Sequence, residues 1–226
     1  MAASYFVMCS AKLGGLFPLR PARESAGIDA RRGFSLIELL TVLAIIAVLS
    51  AILVPSMAAA RTYALRVKTK VQFAQWAGAM EQFRQEYGFY PAIDGGSGGK
   101  VVPAVFAGAL TGRTLDGLAD ALPGNLAGNT RLLSFYVITD GELDEGRTAL
   151  REACGNSDIA VLYDRNGDGV INVADGSVVA VTGKETGLSL SPTTEGLDLV
   201  AGVRGGVIFY SAGRGQIPSD LIFSWK

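Results

Sequence analysis

The 21 residues from Phe34 to Val54, FSLIELLTVLAIIAVLSAILV, contain a single charged side chain, Glu38. At about 1.5 Å of rise per residue, a helix of this length reaches roughly 32 Å, enough to cross the hydrocarbon core of a bilayer. The run therefore reads as a membrane helix. On insertion scales an acidic side chain at the centre of such a helix costs about 2.5 to 3.5 kcal/mol, and less near the end. Glu38 must then either reach water at the interface or have a partner.

The flanks set the orientation. Before Phe34 stand Lys12, Arg20, Arg23, Arg31 and Arg32 against Glu24 and Asp29, a net charge of +3 that keeps this end cytoplasmic and sends the bulk of the chain across. A secretory signal peptide also begins with positive charge and an apolar segment. Two features oppose it: the run exceeds an ordinary h-region, and the nearest imitation of a cleavage site, Ala58 to Ala60, sits within what reads as continuous helix.

Gly33, Phe34, Glu38 and Pro55 stand at the spacing of a known pattern. The chain resembles the type IV prepilins and the pseudopilins of type II secretion. These carry a basic leader ending in Gly, an aromatic first mature residue, Glu at the fifth mature position and Pro near the twenty-second. The match covers about 25 residues, and the leader is long for the family. The resemblance implies cleavage between Gly33 and Phe34 by a prepilin peptidase and methylation of the new amino terminus. It also answers for Glu38: the freed Phe34 amine would pair with this carboxylate, four residues along the helix or on a neighbouring subunit, so that two costly charges become one pair. Pro55 would weaken the hydrogen-bond ladder where a bend is absorbed.

The implied organisation is a cytoplasmic leader over 1–33, a transmembrane and filament-core helix over 34–54, an amphipathic continuation over 55–90, and a periplasmic β-rich globular domain over 91–226. The implied partners are other copies or other pilins in a helical filament, the peptidase, an inner-membrane assembly platform, and lipid before assembly. The implied location is the inner membrane, crossed once, with the carboxy-terminal domain in the periplasm.

The rest of the chain suits one soluble domain. Removing the leader leaves 193 residues. Subtracting its +3 takes the overall charge from −1 to −4, which gives no electrostatic case for nucleic acid. Cys9 falls in the leader and Cys154 stands alone, so the mature chain has no internal disulfide to form. Many type IV pilins close their carboxy-terminal region with such a bridge, whereas the major pseudopilin commonly uses calcium, so the resemblance leans to the pseudopilins.

Beyond Pro55, residues Phe73, Trp76, Met80, Phe83 and Tyr87 recur at helical spacing and predict a face docked on a sheet. Ala60, Ala64, Val67, Val71 and Ala74 form a smaller adjoining stripe available to other subunits. Arg61, Arg66, Lys68 and Lys70 read as the solvated side, either plain surface charge or contacts to subunits or lipid headgroups. Gly88 and Pro91 end the helix. DGGSGG at 94–99 reads as a flexible connection, followed by helical hints at 102–110 and 115–122. LLSFYVIT from 132, DIAVLY from 158, SVVAVT from 177 and GVIFYS from 206 read as strands of an antiparallel sheet packed on the long helix, an α+β pilin-like fold. The 29 glycines among 226 residues, well above a usual share of about 7%, point to many tight turns.

DRNGDGVINVAD, residues 164 to 175, carries the clearest local chemistry. Asp164, Asn166 and Asp168 occupy positions 1, 3 and 5 of a calcium loop, with Gly169 at 6, the Val170 carbonyl at 7, Asn172 at 9 and Asp175 at 12. Alternate oxygens wrap a hard cation, and Ile171 can anchor the loop on the core. A polar turn is the plain alternative. Asp at position 12 resembles dockerin loops, but no second copy exists, so a structural calcium that staples the domain is the expectation.

Catalysis finds little support. The chain has no histidine, which removes Ser-His-Asp and Cys-His activation. The carboxylates of GELDEG at 141–146 read as a solvated loop. The reading is a filament subunit, not an enzyme: a type II secretion pseudopilin of a periplasmic pseudopilus. Its alternatives are a minor type IV pilin serving adhesion, motility or DNA uptake, and a membrane-tethered calcium-dependent binding module that does not polymerise.

Overall fold

The computed structural model describes residues 33–96, 99–215 and 217–225. The leader expected at 1–33, with Cys9, lies outside the described residues apart from Gly33. The first element is a 52-residue helix, α1, Leu36–Tyr87. The chain divides into two compact units, Met1–Leu49 and Ser50–Lys226. The described part of the first is Gly33 to Ser35 and the opening of α1. Every residue from Gly33 to Val54 is exposed, with Leu36 at 80% and Leu43 at 57%. A soluble monomer does not leave so continuous an apolar surface in water, so this segment is completed by lipid or by other helices.

Within the second unit α1 becomes amphipathic. Phe73, Trp76, Met80 and Phe83 are fully buried, as their spacing predicts, and Tyr87 is half-buried. Ala60, Ala64, Val67, Val71 and Ala74 are all exposed. Arg66 departs from the solvated reading of its neighbours: its guanidinium ion-pairs Asp220 and donates to the Ser219 carbonyl at 3.1 Å. The helix stops at Tyr87.

A second helix, α2, Pro103–Thr111, starts on a proline and ends at Gly112, whose φ of +70° closes the last turn. A side chain there would strike the Leu132 carbonyl. The buried Asn129 covers the same end, its Nδ2 donating to the carbonyls of Ala109 at 2.9 Å and Leu133 at 2.7 Å.

The strands are β1, Ile159–Tyr163; β2, Val170–Ile171; β3, Val181–Thr182; β4, Ser189–Leu190; β5, Val203–Arg204; β6, Val207–Ser211; and β7, Ile222–Phe223. β1, β6 and β7 form one antiparallel sheet in that order, with Val161 opposite Phe209, while β2–β5 and β3–β4 are separate pairs. The alternation of side chains explains why β1 and β6 are buried along their whole length. Ile159, Val161, Tyr163, Val207 and Phe209 pack with α1 and α2; Ala160, Leu162, Ile208 and Tyr210 pack with Ile171 of β2, Val181 of β3, Leu190 of β4 and Leu197. Trp76 knits three elements together, its ring 5.6 Å from Phe73, 4.9 Å from Phe106 and 5.6 Å from Phe209.

The α+β class and the helix at 102–110 match the sequence reading, and three local expectations do not. LLSFYVIT is not a strand: the N–H groups of Phe135 and Tyr136 both donate to the Leu110 carbonyl, at 2.8 and 3.1 Å, so this segment wraps the end of α2. The segment 115–122 is a turn and not a helix, because Asp116 accepts the Thr114 hydroxyl at 2.5 Å and the Leu118 N–H at 3.1 Å. Of SVVAVT only Val181 and Thr182 are strand. Among the described residues the domain is more looped than its β-rich reading implied.

Candidate processing motif and cation loop

Gly33, Phe34 and Ser35 precede α1 and are not helical. Phe34 is 72% exposed, and the space around the Gly33 α-carbon is open. A protease must thread a non-helical backbone, and the Gly33–Phe34 bond lies outside the helix, just ahead of its first turn. Glu38 lies in that first turn, where a carboxylate favours the positive end of the helix dipole. Its N–H donates to the Ser35 carbonyl at 3.0 Å, and its own carbonyl accepts the Thr41 hydroxyl at 2.9 Å. Among the described residues its carboxylate has no hydrogen-bond or ion-pair partner. α1 continues through Pro55, and the Ser56 hydroxyl donates to the Ile52 carbonyl at 2.9 Å.

The second candidate is the loop that leaves β1. Asp164 is 3% exposed, and its carboxylate accepts the N–H groups of Gly167 at 2.6 Å, Asp168 at 3.2 Å and Gly169 at 2.8 Å. Asp175, equally buried, accepts the N–H groups of Arg165 at 2.8 Å, Asn166 at 3.3 Å and Asn172 at 2.9 Å. The first and last carboxylates thus fold the loop by capturing six backbone donors. Gly169 holds a φ of +82° at the sharp turn, and Ile171 is fully buried in the core.

Between these ends, the Asp168 carboxylate accepts the side-chain amides of Asn166 at 2.9 Å and Asn172 at 3.4 Å, and the Asn172 amide also donates to the Val170 carbonyl at 3.4 Å. Four of the six sequence-predicted ligands therefore converge. Among the described residues no three carboxylate or thiol groups come together as a metal cluster. The converging set mixes one carboxylate, two amides and one carbonyl, all able to present hard oxygen. Turning each amide over exchanges its nitrogen for its oxygen at the same place, so the donor chemistry fits a calcium-type cation.

Sequence reasoning missed the buried support beside this loop. Asp94, taken with the flexible connection, has a side chain of zero exposure that ion-pairs Arg165 at 2.7 Å and accepts the Tyr163 hydroxyl at 3.2 Å. The Arg165 guanidinium lies 4.6 Å over the Tyr163 ring. Burial, reinforced by the Asp94 charge, pushes the Tyr163 hydroxyl well above its ordinary range. Tyr90, whose ring is 6.2 Å from that of Tyr163, is raised by burial and by its bond to Glu81 to about 12. Only the isolated Asp of DGGSGG offered a signal in the sequence.

A family model described as the prokaryotic N-terminal methylation motif matches residues 28–54. Comparison with curated proteins and with solved structures gave no match. The matched segment holds Gly33, Phe34 and Glu38 and covers the apolar opening of α1, which leads into an α+β domain. The chain thus carries the amino-terminal methylation motif of type IV pilin-like prepilins at the head of a long helix that leads into an α+β domain.

Proposed function

We propose that this prepilin is a pseudopilin of a type II secretion system, processed between Gly33 and Phe34, held in the inner membrane by the start of α1, and assembled into a periplasmic pseudopilus that drives export. The observation that carries this reading is the pairing of one free cysteine, Cys154, with a folded loop of oxygen-bearing side chains at 164–175. A mature domain without a disulfide needs another staple, and calcium held by Asp164, Asn166, Asp168, Val170, Asn172 and Asp175 supplies one. Bound there, calcium would supply positive charge among the loop's carboxylates and hold it folded.

Assembly supplies the role of Glu38. A carboxylate in low dielectric is stable only when paired, and the methylated Phe34 amine of a neighbouring copy is the partner that fixes axial register. Processing by the peptidase and packing with other pilins follow from the motif itself. Deleting the gene in its own host tests the finer reading. Loss of protein export with surface pili retained is the expected result. Loss of pili with export intact identifies a minor pilin instead, and loss of neither, with the chain found only as a monomer, identifies a tethered binding module.

A further inference from the structure

We propose that Asp94 and Arg165 are positioning residues for the cation loop, holding its two terminal carboxylates in place without touching the ion. The inference rests on the reading of 164–175 as a calcium site.

Among the described residues Asp94 accepts the Tyr163 hydroxyl at 3.2 Å and the Gly96 N–H at 3.1 Å on one oxygen, and the Arg165 guanidinium at 2.7 Å and the Gly99 N–H at 3.3 Å on the other. Tyr163 and Arg165 flank Asp164, the first loop carboxylate. Asp94 therefore grips the chain on both sides of that ligand, while the Asp164 N–H is fixed to the Gly206 carbonyl at 2.9 Å.

Arg165 carries the grip to the other end of the loop. Its side chain is held by Asp94 and by the Tyr163 ring, and its backbone N–H donates to Asp175 Oδ1 at 2.8 Å. One residue thus links the buried carboxylate to the last ligand as well as the first. Charge acts in the same direction. Arg165 is the only cationic residue between 164 and 175, and Asp94 draws its guanidinium onto the Tyr163 face. Partners of this kind orient ligands that touch a metal, and losing one typically weakens affinity roughly 10- to 100-fold.

The test is a calorimetric calcium titration of the full-length chain, stripped with chelator and held in detergent, with apo melting midpoints recorded alongside. Arg165→Gln removes a half-exposed cation and spares the fold; Asp94→Asn keeps the buried shape. Each is expected to raise Kd at least tenfold, and the double variant to raise it no further than the larger single change, because both break one contact. Three results would overturn the proposal while leaving the calcium reading intact: an unchanged Kd in both single variants, tighter binding by Arg165→Gln, or losses that multiply in the double variant. Tighter binding would mean that Arg165 merely repels the ion, and multiplying losses would mean that the two residues support the fold independently. A wild-type chain that binds no calcium overturns both.

Discussion

Two aspartates of the loop at 164–175, the proposed calcium site, should respond differently to the same substitution. Asp164 is buried and accepts three backbone N–H groups, whereas Asp168 is exposed and accepts one, from Val170 at 2.8 Å, besides the two side-chain amides. A hydrogen bond to a charged group contributes about 1.5 to 3 kcal/mol net. Water reaches the loop's exposed rim and recovers part of that, so Asp164→Ala should cost about 3 kcal/mol even without calcium. At about 2 to 4 °C per kcal/mol for a domain of this size, the chelator-treated midpoint should fall by roughly 6 to 12 °C. Asp168→Ala should cost about 1 kcal/mol or less and move the same midpoint by no more than about 4 °C. Calcium at a hundredfold excess over Kd adds about 2.7 kcal/mol to the wild type, and both variants should lose that increment. Thermal melts of the full chain in detergent, with calcium and with chelator, measure all of this. Identical wild-type midpoints in the two conditions would reduce the loop to a polar turn. Equal apo losses for the two variants would refute the division of labour between fold and ligand.

Glu38→Val should insert into the membrane as well as the wild type or better while filament assembly fails, seen by fractionation and electron microscopy; polymerisation at wild-type levels would leave Glu38 as an acid at a helix start and nothing more. Trp76→Ala should cost about 3 to 5 kcal/mol, since it empties the junction of α1, α2 and β6, and denaturant unfolding would show it. At high pH the domain should weaken. Burial and the nearby Glu152 raise the Cys154 thiol from 9.0 to about 11, and burial raises the Tyr90 hydroxyl from 10.0 to about 12. Their contribution is fully present below pH 9 and is lost as pH rises through these values, so melting midpoints should fall between pH 9 and 12.

The features legible in the sequence are those written in local periodicity. The apolar run follows from its length and lack of charge, and the aromatic stripe of α1 and the two five-residue strands follow from spacing, because each of these buries a continuous face. The turn at 164–175 was legible for a related reason: its Asp, Asn and Gly residues alternate within twelve residues. What escaped depends on distant partners. Asp94 becomes a buried anchor only through Arg165, 71 residues away. Asn129 caps α2 from a segment with no helical or strand pattern. LLSFYVIT has strand composition, yet its N–H groups go to a helix end, a choice tertiary packing makes and propensity does not. The remaining strands are two residues long, too short for alternation to register.

Processing is proposed at the bond between Gly33 and Phe34. Mass spectrometry of the mature chain recovered from membranes, beside a Gly33→Leu variant, tests it directly. The expected amino-terminal peptide begins at Phe34 and carries one added methyl group, and the variant retains its whole leader because the peptidase requires a small residue before the cut. An intact leader in functional wild-type protein would contradict it, as would a terminus near Ala60 or normal cleavage of the variant.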